Sequence, residues 1–265
     1  MGEKLRNAPV YFTIIQVRFN TIQKMDSFAP NIQEKFRKAS FSDAQTNTLN
    51  TLNLSFGMSD APAQQPIPLK QQTQHTYSNF ENTACFILDQ SSLTFQTTEY
   101  DTFKTFSETF LDGLKFVDDV VEGIDFVDRI GIRYLNAFKA RDNESITAYL
   151  NTKVVGLFDE AEIKTSHSFT ETVYIRNRKN IVARTIILNG PFSFPFDVQP
   201  GALKVGDRFR KIAETHGALD IDGSNIERLK FGLTSLAAEL NSVHDEIEVA
   251  FTKIVSPYAL KVWNQ

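Results

Sequence analysis

The residues that could do chemistry in this chain are few and scattered. His75, His167, His216 and His244 stand far apart, and neither H-x-x-x-H nor H-E-x-x-H occurs. "HDE" at His244 to Glu246 sets acids beside an imidazole on a helix, where adjacent side chains point in different directions. A solvated helix face is the simpler reading, and we expect no metal. Cys85, the lone cysteine, sits in the apolar run "TACFILD" and reads as a buried, inert thiol. It can form no intramolecular disulfide and no Cys-based zinc cluster. No G-x-S-x-G elbow is present, nor G-x-G-x-x-G, nor G-x-x-x-x-G-K-[ST]. Hence no catalytic residue and no cofactor is assigned. Asp118, Asp119, Glu122, Asp125 and Asp128 cluster around a helix end. Paired acids can do acid–base work, but a solvated helix-to-strand junction or a docking surface for a basic partner explains them as well.

Three other groups could bind rather than react. Arg18 and Arg133 occupy matching places in two similar strands, "IIQVRF" and "RIGIRY". Two such guanidiniums on an open sheet could grip carboxylates or phosphates bidentately, or could pair with neighbouring acids. Arg176, Arg178, Lys179 and Arg184 cluster near one turn, within a stretch from Lys164 to Lys211 that is more basic than the rest. With Tyr174 and Phe209 nearby they are candidates for nucleic-acid contact, or simply an ordinary charged turn. Tyr258 and Trp263, beyond Pro257, are candidate partner anchors or a tail folded back on the core.

The elements that must position these residues follow from periodicity. Val10 to Phe19 predicts a strand, and Met25 to Ala39 a helix with Phe28, Ile32 and Phe36 on one face. Asp26 or Ser27 can cap that helix, and Pro30 is tolerable only in its first turn. Leu49 to Phe56 alternates as a strand, and Gly57 to Gln74, with three prolines and five glutamines, reads as a long loop. Strands are expected at Thr76 to Phe80, Ala84 to Leu88 and Ser92 to Thr98. The helix Asp101 to Val121 follows, with Gly123 able to cap its end. In the second half, Phe126 to Phe138 reads as a strand and Ser145 to Phe158 as a helix. Ser168 to Arg176 and Ile181 to Leu188 form a hairpin across "RNRKN". Asn189 to Gly201 is an irregular loop, Ala218 to Asp222 a short strand, and Asn225 to Val255 the longest helix, ended by Pro257.

The order of elements repeats. One constant shift carries Ile15, Val17 and Arg18 onto Ile130, Ile132 and Arg133. Another carries Leu93, Phe95, Phe103, Phe110, Leu114, Val117 and Val121 onto Leu219, Ile221, Leu229, Leu236, Leu240, Val243 and Ile247. We therefore expect an α+β fold of two pseudo-repeated β-α-β(n)-α halves, residues 1–123 and 124–265, packed as one globular unit. The halves would merge into a curved antiparallel sheet with long helices on one face and the other face open.

Composition bounds the rest. Of 265 residues, 42% are hydrophobic and 23% charged, as in an ordinary folded domain. The formal net charge of −4 gives no global attraction to nucleic acid or acidic membranes. No run of about 18 apolar residues occurs, and no signal-type segment opens the chain. The expectation is a soluble, cytoplasmic protein without a membrane partner.

"NAPVYFTIIQVRF", "LTFQTTEYDTFKTFSETF", "RIGIRYLNAF" and "LNSVHDEIEVAFTKIVSPYALKVW" occur in an order that resembles an uncharacterised, sporadically distributed prokaryotic family of about this length. The resemblance spans nearly the whole chain, apart from the Gln-rich loop and Phe192 to Arg210. Its motifs are structural and transfer no active site. Patchy distribution implies an accessory role, such as phage defence or a toxin–antitoxin module. The reading is a non-enzymatic binding protein acting through protein contacts, with a partner encoded nearby or a homo-oligomer. The alternatives are a nucleic-acid-binding protein and a small-ligand sensor holding an anion between the halves.

Overall fold

A computed structural model of the chain describes residues 5–52, 69–158 and 162–265. β1 (Val10–Phe19) lies at its centre because its residues are apolar on both sides. Ile15, Val17 and Phe19 enter one core, while Tyr11, Phe12 and Ile14 pack into another on the opposite face. A bulge between Val10 and Phe12 lets both Tyr11 and Phe12 serve the second core. β1 pairs antiparallel with β5 (Ser92–Thr97) on one side and β6 (Phe126–Phe138) on the other. Outward from β5 run β4 (Ala84–Leu88), β3 (Leu69–Ser78) and β2 (Asp43–Leu52). Outward from β6 run β9 (Thr215–Asn225), β8 (Lys179–Asn189) and β7 (His167–Arg176). The short β10 (Leu229–Lys230) also pairs with β6. The molecule is thus α+β, and its described residues form one open, ten-stranded antiparallel sheet.

The rungs of the central seam have a notable register. Ile15 faces Ile132, and Val17 faces Ile130. The shift that maps Ile15 onto Ile130 therefore maps one rung onto the other.

Buried side chains of α1 (Met25–Lys38), α2 (Phe103–Val121) and α4 (Leu233–Ile254) join the core that receives Ile15 and Val17. In α1 these are Met25, Ala29, Ile32 and Phe36, one helical face. Its N-cap is Lys24 rather than Asp26 or Ser27, and no side chain caps it. Pro30 lies past the first turn and leaves the Asp26 carbonyl without its helical N–H. Thr102 caps α2 by accepting from the Thr105 N–H. The left-handed residue ending α2 is Glu122, not Gly123, because Asn20 donates to the Gly123 carbonyl at 2.9 Å and accepts from the Asp125 N–H at 2.8 Å.

Two expected helices differ. Ser145 to Phe158 contains only two short 3-10 turns, 146–149 and 152–154. Ser145 and Asn151 each cap a turn, and the Asn151 N–H is drawn to the Ile254 carbonyl at 2.7 Å, so no long helix propagates. The last helix begins at Leu233 rather than Asn225: Asn225 pairs with Ile130, and Leu229 with Val127, so sheet pairing claims this stretch. After α4 the chain turns into α5 (Pro257–Trp263), with Pro257 in the first turn and Ser256 as cap. The expected 57–74 loop is strand from Leu69 onward, and residues 57–68 lie outside the described residues, as does the expected strand beyond Leu52.

The second sheet face is not fully open. Between β8 and β9 the chain crosses it, and Val198, Leu203, Val205, Phe209 and Ile212 cover Tyr11, Phe12, Leu135, Ala137 and Cys85. Phe209 belongs to the single-turn α3 (Asp207–Arg210). Among the described residues no helix is long and apolar enough to cross a membrane.

Candidate binding cleft and the ion-pair network

On the second sheet face, next to this crossing segment, polar side chains form a connected web. Arg133 reaches Asp220 through Nε and Nη2, both at 2.7 Å, and Asp197 through Nη1 at 2.7 Å and Nη2 at 3.1 Å. Arg184 donates to the same Asp220 at 3.0 Å and to Glu171 at 2.6 Å. Strand alternation explains the arrangement, since Asp220 faces Arg184 across the β8–β9 ladder and Arg133 comes from the neighbouring β6. Burial works against the Arg133 charge, but the bidentate bonds to Asp220 and Asp197 outweigh it and leave its pKa raised. The Arg133 bond holds the Asp197 carboxyl below its ordinary range. Asp222, half-buried and facing Arg129 only at 3.9 Å, has its pKa raised by desolvation.

Arg129 lies over Gly131, where a Cβ would come within 2.6 Å of its guanidinium. Its Nη1 donates to Gln16 at 3.1 Å, and Gln16 donates to Thr94 at 3.0 Å. This second, separate chain of bonds spans the seam between β1 and β6. Arg18 stands apart from it, half exposed, 3.7 Å from Asp128. The two candidate anion ligands are therefore not brought together, and the Arg133 donors already face two carboxylates.

The basic hairpin is likewise paired. Arg176 lies 3.4 Å from Glu246, Arg178 3.3 Å from Glu227, and the buried Lys179 2.6 Å from Glu239. Asn177 and Arg178 both have positive φ and make the two-residue turn. Asn177 also donates to Glu246 at 2.6 Å. The Glu239 and Glu246 bonds fasten the β7–β8 hairpin to α4, and the Glu227 bond ties it to the chain just before β10.

Trp263 is buried, edge-on to Phe138 at 5.2 Å and beside Phe251. Tyr258 is partly exposed and donates to Glu144, which also accepts from Tyr149 at 2.6 Å. Burial pushes the Cys85 thiol up to about 12. His75 bonds Asp26 at 3.0 Å and tethers α1 to β3. Of the acidic cluster, Asp119 is bound by Lys115 and Lys35, which lower its pKa.

One large concavity escaped the sequence reading. A cleft of about 1370 Å³ opens between α2 and α4, with Phe103, Ser107 and Leu111 on one wall and Ala237, Asn241 and His244 on the other. Tyr134 and Asn136 of β6 line its base, and the segment around Lys204 and Arg208 lines its far end. Inside, the His244 ring stacks on Phe103 with centroids 3.9 Å apart and planes 7° from parallel. The Tyr134 hydroxyl lies 3.1 Å from His244 Nδ1 and donates to Tyr100 at 3.4 Å. Burial holds the His244 pKa down to about 4 and pushes that of Tyr100 up to about 12. All three polar rings are thus neutral near pH 7 and present hydrogen-bonding atoms on an aromatic wall. The signal for this site was weak: His244 and Phe103 are far apart in sequence, and only their helical faces pointed toward a common core.

Compared with known proteins, the chain matches no family model and no curated protein.

Proposed function

We propose that this is a non-enzymatic binding protein, and that the cleft between α2 and α4 receives its ligand. The observation that carries the reading is the cleft itself: a large concavity whose exposed lining is mainly apolar, with neutral polar atoms at Tyr134, Asn136 and His244 and charged side chains that include Lys104, Glu108, Lys204, Arg208 and Glu248. Such a lining suits a ligand with an apolar or planar body that also carries polar or charged groups. Acid–base catalysis has less support, because His244 and Tyr100 titrate far from neutrality. The resemblance adds a setting, that of an accessory component in a phage-defence or toxin–antitoxin system. A nucleic-acid role through the hairpin has less support than the cleft, because Arg176, Arg178, Lys179 and Arg184 each face an acid. An anion held by Arg18 and Arg133 is weakened in the same way by Asp128, Asp220 and Asp197.

We also infer that the chain is an internal duplication of residues 1–123 and 124–265, with α1, α2 and α4 backing one sheet face. The mirrored strand orders β1-β5-β4-β3 and β6-β9-β8-β7 support this, as does the self-mapping register of the seam. On that reading the cleft lies where the last long helices of the two halves meet.

The test is uptake of 8-anilinonaphthalene-1-sulfonate, whose fluorescence rises in apolar sites. The folded protein should enhance it saturably, and Ala237→Trp, which fills the cleft from α4, should cut the enhancement at least several-fold with the melting temperature retained. No enhancement by the native protein, or full enhancement by the variant, would refute the cleft reading.

A further inference from the structure

The two ends of the sheet are unlike. At one end β2 offers polar, exposed residues from Asp43 to Thr48. At the other, β7 carries Phe169, Val173 and Ile175, which are 55%, 63% and 75% exposed. These three and Glu171 share one face of the strand. Among the described residues nothing pairs with the outer edge of β7, and no backbone hydrogen bond beyond the β7–β8 ladder reaches it. Natural sheets protect such edges with proline, lysine, bulges or short strands. Residues His167–Arg176 contain no proline and no lysine, and the β7–β8 ladder is unbroken from His167 to Arg176. The one acid in its middle, Glu171, is held by Arg184 at 2.6 Å.

The direction of the free backbone groups follows from the turn. Arg176 and Lys179 flank the two left-handed residues Asn177 and Arg178, so they form the pair that exchanges both hydrogen bonds. Every second residue back from Arg176 then faces β8. The N–H and C=O groups of Phe169, Glu171, Val173 and Ile175 face outward.

We propose that β7 pairs antiparallel with β7 of a second copy of this chain about a two-fold axis at Thr172, joining the two sheets into one. This extends the reading of the protein as one that acts through contacts and is independent of the cleft. Self-complementarity selects the occupant. With the axis at Thr172, Phe169 lies opposite Ile175 of the second copy, Glu171 opposite Val173, Thr170 opposite Tyr174, and Ser168 opposite Arg176. Outward-facing residues meet outward-facing residues, so the hydrogen-bond ladder closes. Each copy contributes an apolar residue opposite an apolar residue at both ends of the row, and no like charges stand opposite each other. An axis at Glu171 would oppose two carboxylates. An axis at Val173 would set Phe169 against the turn residue Asn177 and Glu171 against Ile175. The alignment at Thr172 is the one that uses the strand from Ser168 to Arg176 on both copies.

Sedimentation equilibrium of the full chain at micromolar concentrations should show a species of twice the 30.0 kDa chain mass. Val173→Pro removes an outward N–H without touching the β8 ladder. It should return the mass to that of one chain while leaving the circular-dichroism spectrum unchanged. Thr172→Cys sets one thiol against its copy at the axis, and mild oxidation should give a covalent dimer. Native Cys85 is buried and should give none in the unmodified chain. A single-chain mass at all concentrations overturns the proposal. So does a Thr172→Cys protein that stays single under oxidant, and cross-linking by Val173→Cys in its place overturns the alignment. A labelled decapeptide of alternating Thr and Val separates two failures. If single chains bind it and Val173→Pro does not, the edge accepts strands but not its own copy. If single chains ignore it, the edge is no contact surface at all.

Discussion

His244 stacks on Phe103 and meets the Tyr134 hydroxyl, and burial holds its pKa at about 4 against an ordinary 6.5. The neutral ring is therefore the form that fits the fold. Because its folded pKa is depressed, the stabilisation is complete above pH 6.5 and is lost as the pH falls toward 4. The loss amounts to about 3 kcal/mol over that window. Urea midpoints measured from pH 7 to pH 4.5 should fall, and His244→Phe, which keeps the stacking, should flatten most of that slope. An unchanged slope in the variant would assign the titration elsewhere. Asp197 acts only at lower pH, since its partner Arg133 lowers its pKa and its contribution fades as that carboxylate protonates. Little of this was visible in the sequence. "HDE" drew attention to His244 for its acidic neighbours, but its environment is set by Phe103 and Tyr134, which no local pattern connects. Arg133 was singled out as a candidate anion ligand on a sheet face, and its partners Asp197 and Asp220 come from distant segments that no local pattern connects to it.

Among the elements, the α2 stripe was legible because Phe106, Phe110, Leu114 and Val117 fall at helical spacing and are all buried. The central strands were legible for a similar reason. Helices expected at Ser145 to Phe158 and before Leu233 were not formed, since backbone pairing with distant partners overrode local periodicity. The seating of α2 depends on Gly113, where a Cβ would fall 2.3 Å from the Phe86 ring. Phe86 cannot retreat easily: it is stacked on Phe95 at 4.5 Å and packs on Phe36 at 4.7 Å. Gly113→Ala should therefore destabilise the protein by about 1–3 kcal/mol through overpacking, even though alanine favours helices by nearly 1 kcal/mol. A urea melt decides the sign, and a stabilised variant would show that α2 shifts freely on the sheet.

At the scale of the molecule, one sheet runs through both halves, and the seam between β1 and β6 is its middle. The Gln16–Arg129 bond crosses that seam, and α2 and α4 contribute to one core. We expect a single cooperative unfolding transition. Trp263, which packs against Phe138 of β6 and reports on the second half, should lose its native fluorescence at the same urea concentration at which the far-ultraviolet circular dichroism of the whole chain collapses. Two separated midpoints would mean that the halves fold independently despite the shared sheet.

The same seam bears on synthesis at the ribosome. β1 emerges first, and it can pair with β5 as soon as residues 92–97 follow. Its other flank waits for residues 126–138. Until then β1 presents a row of unpaired N–H and C=O groups for the time needed to translate α2, so the speed with which the sixth strand arrives sets how long a growing polypeptide of this kind offers an open edge to other chains.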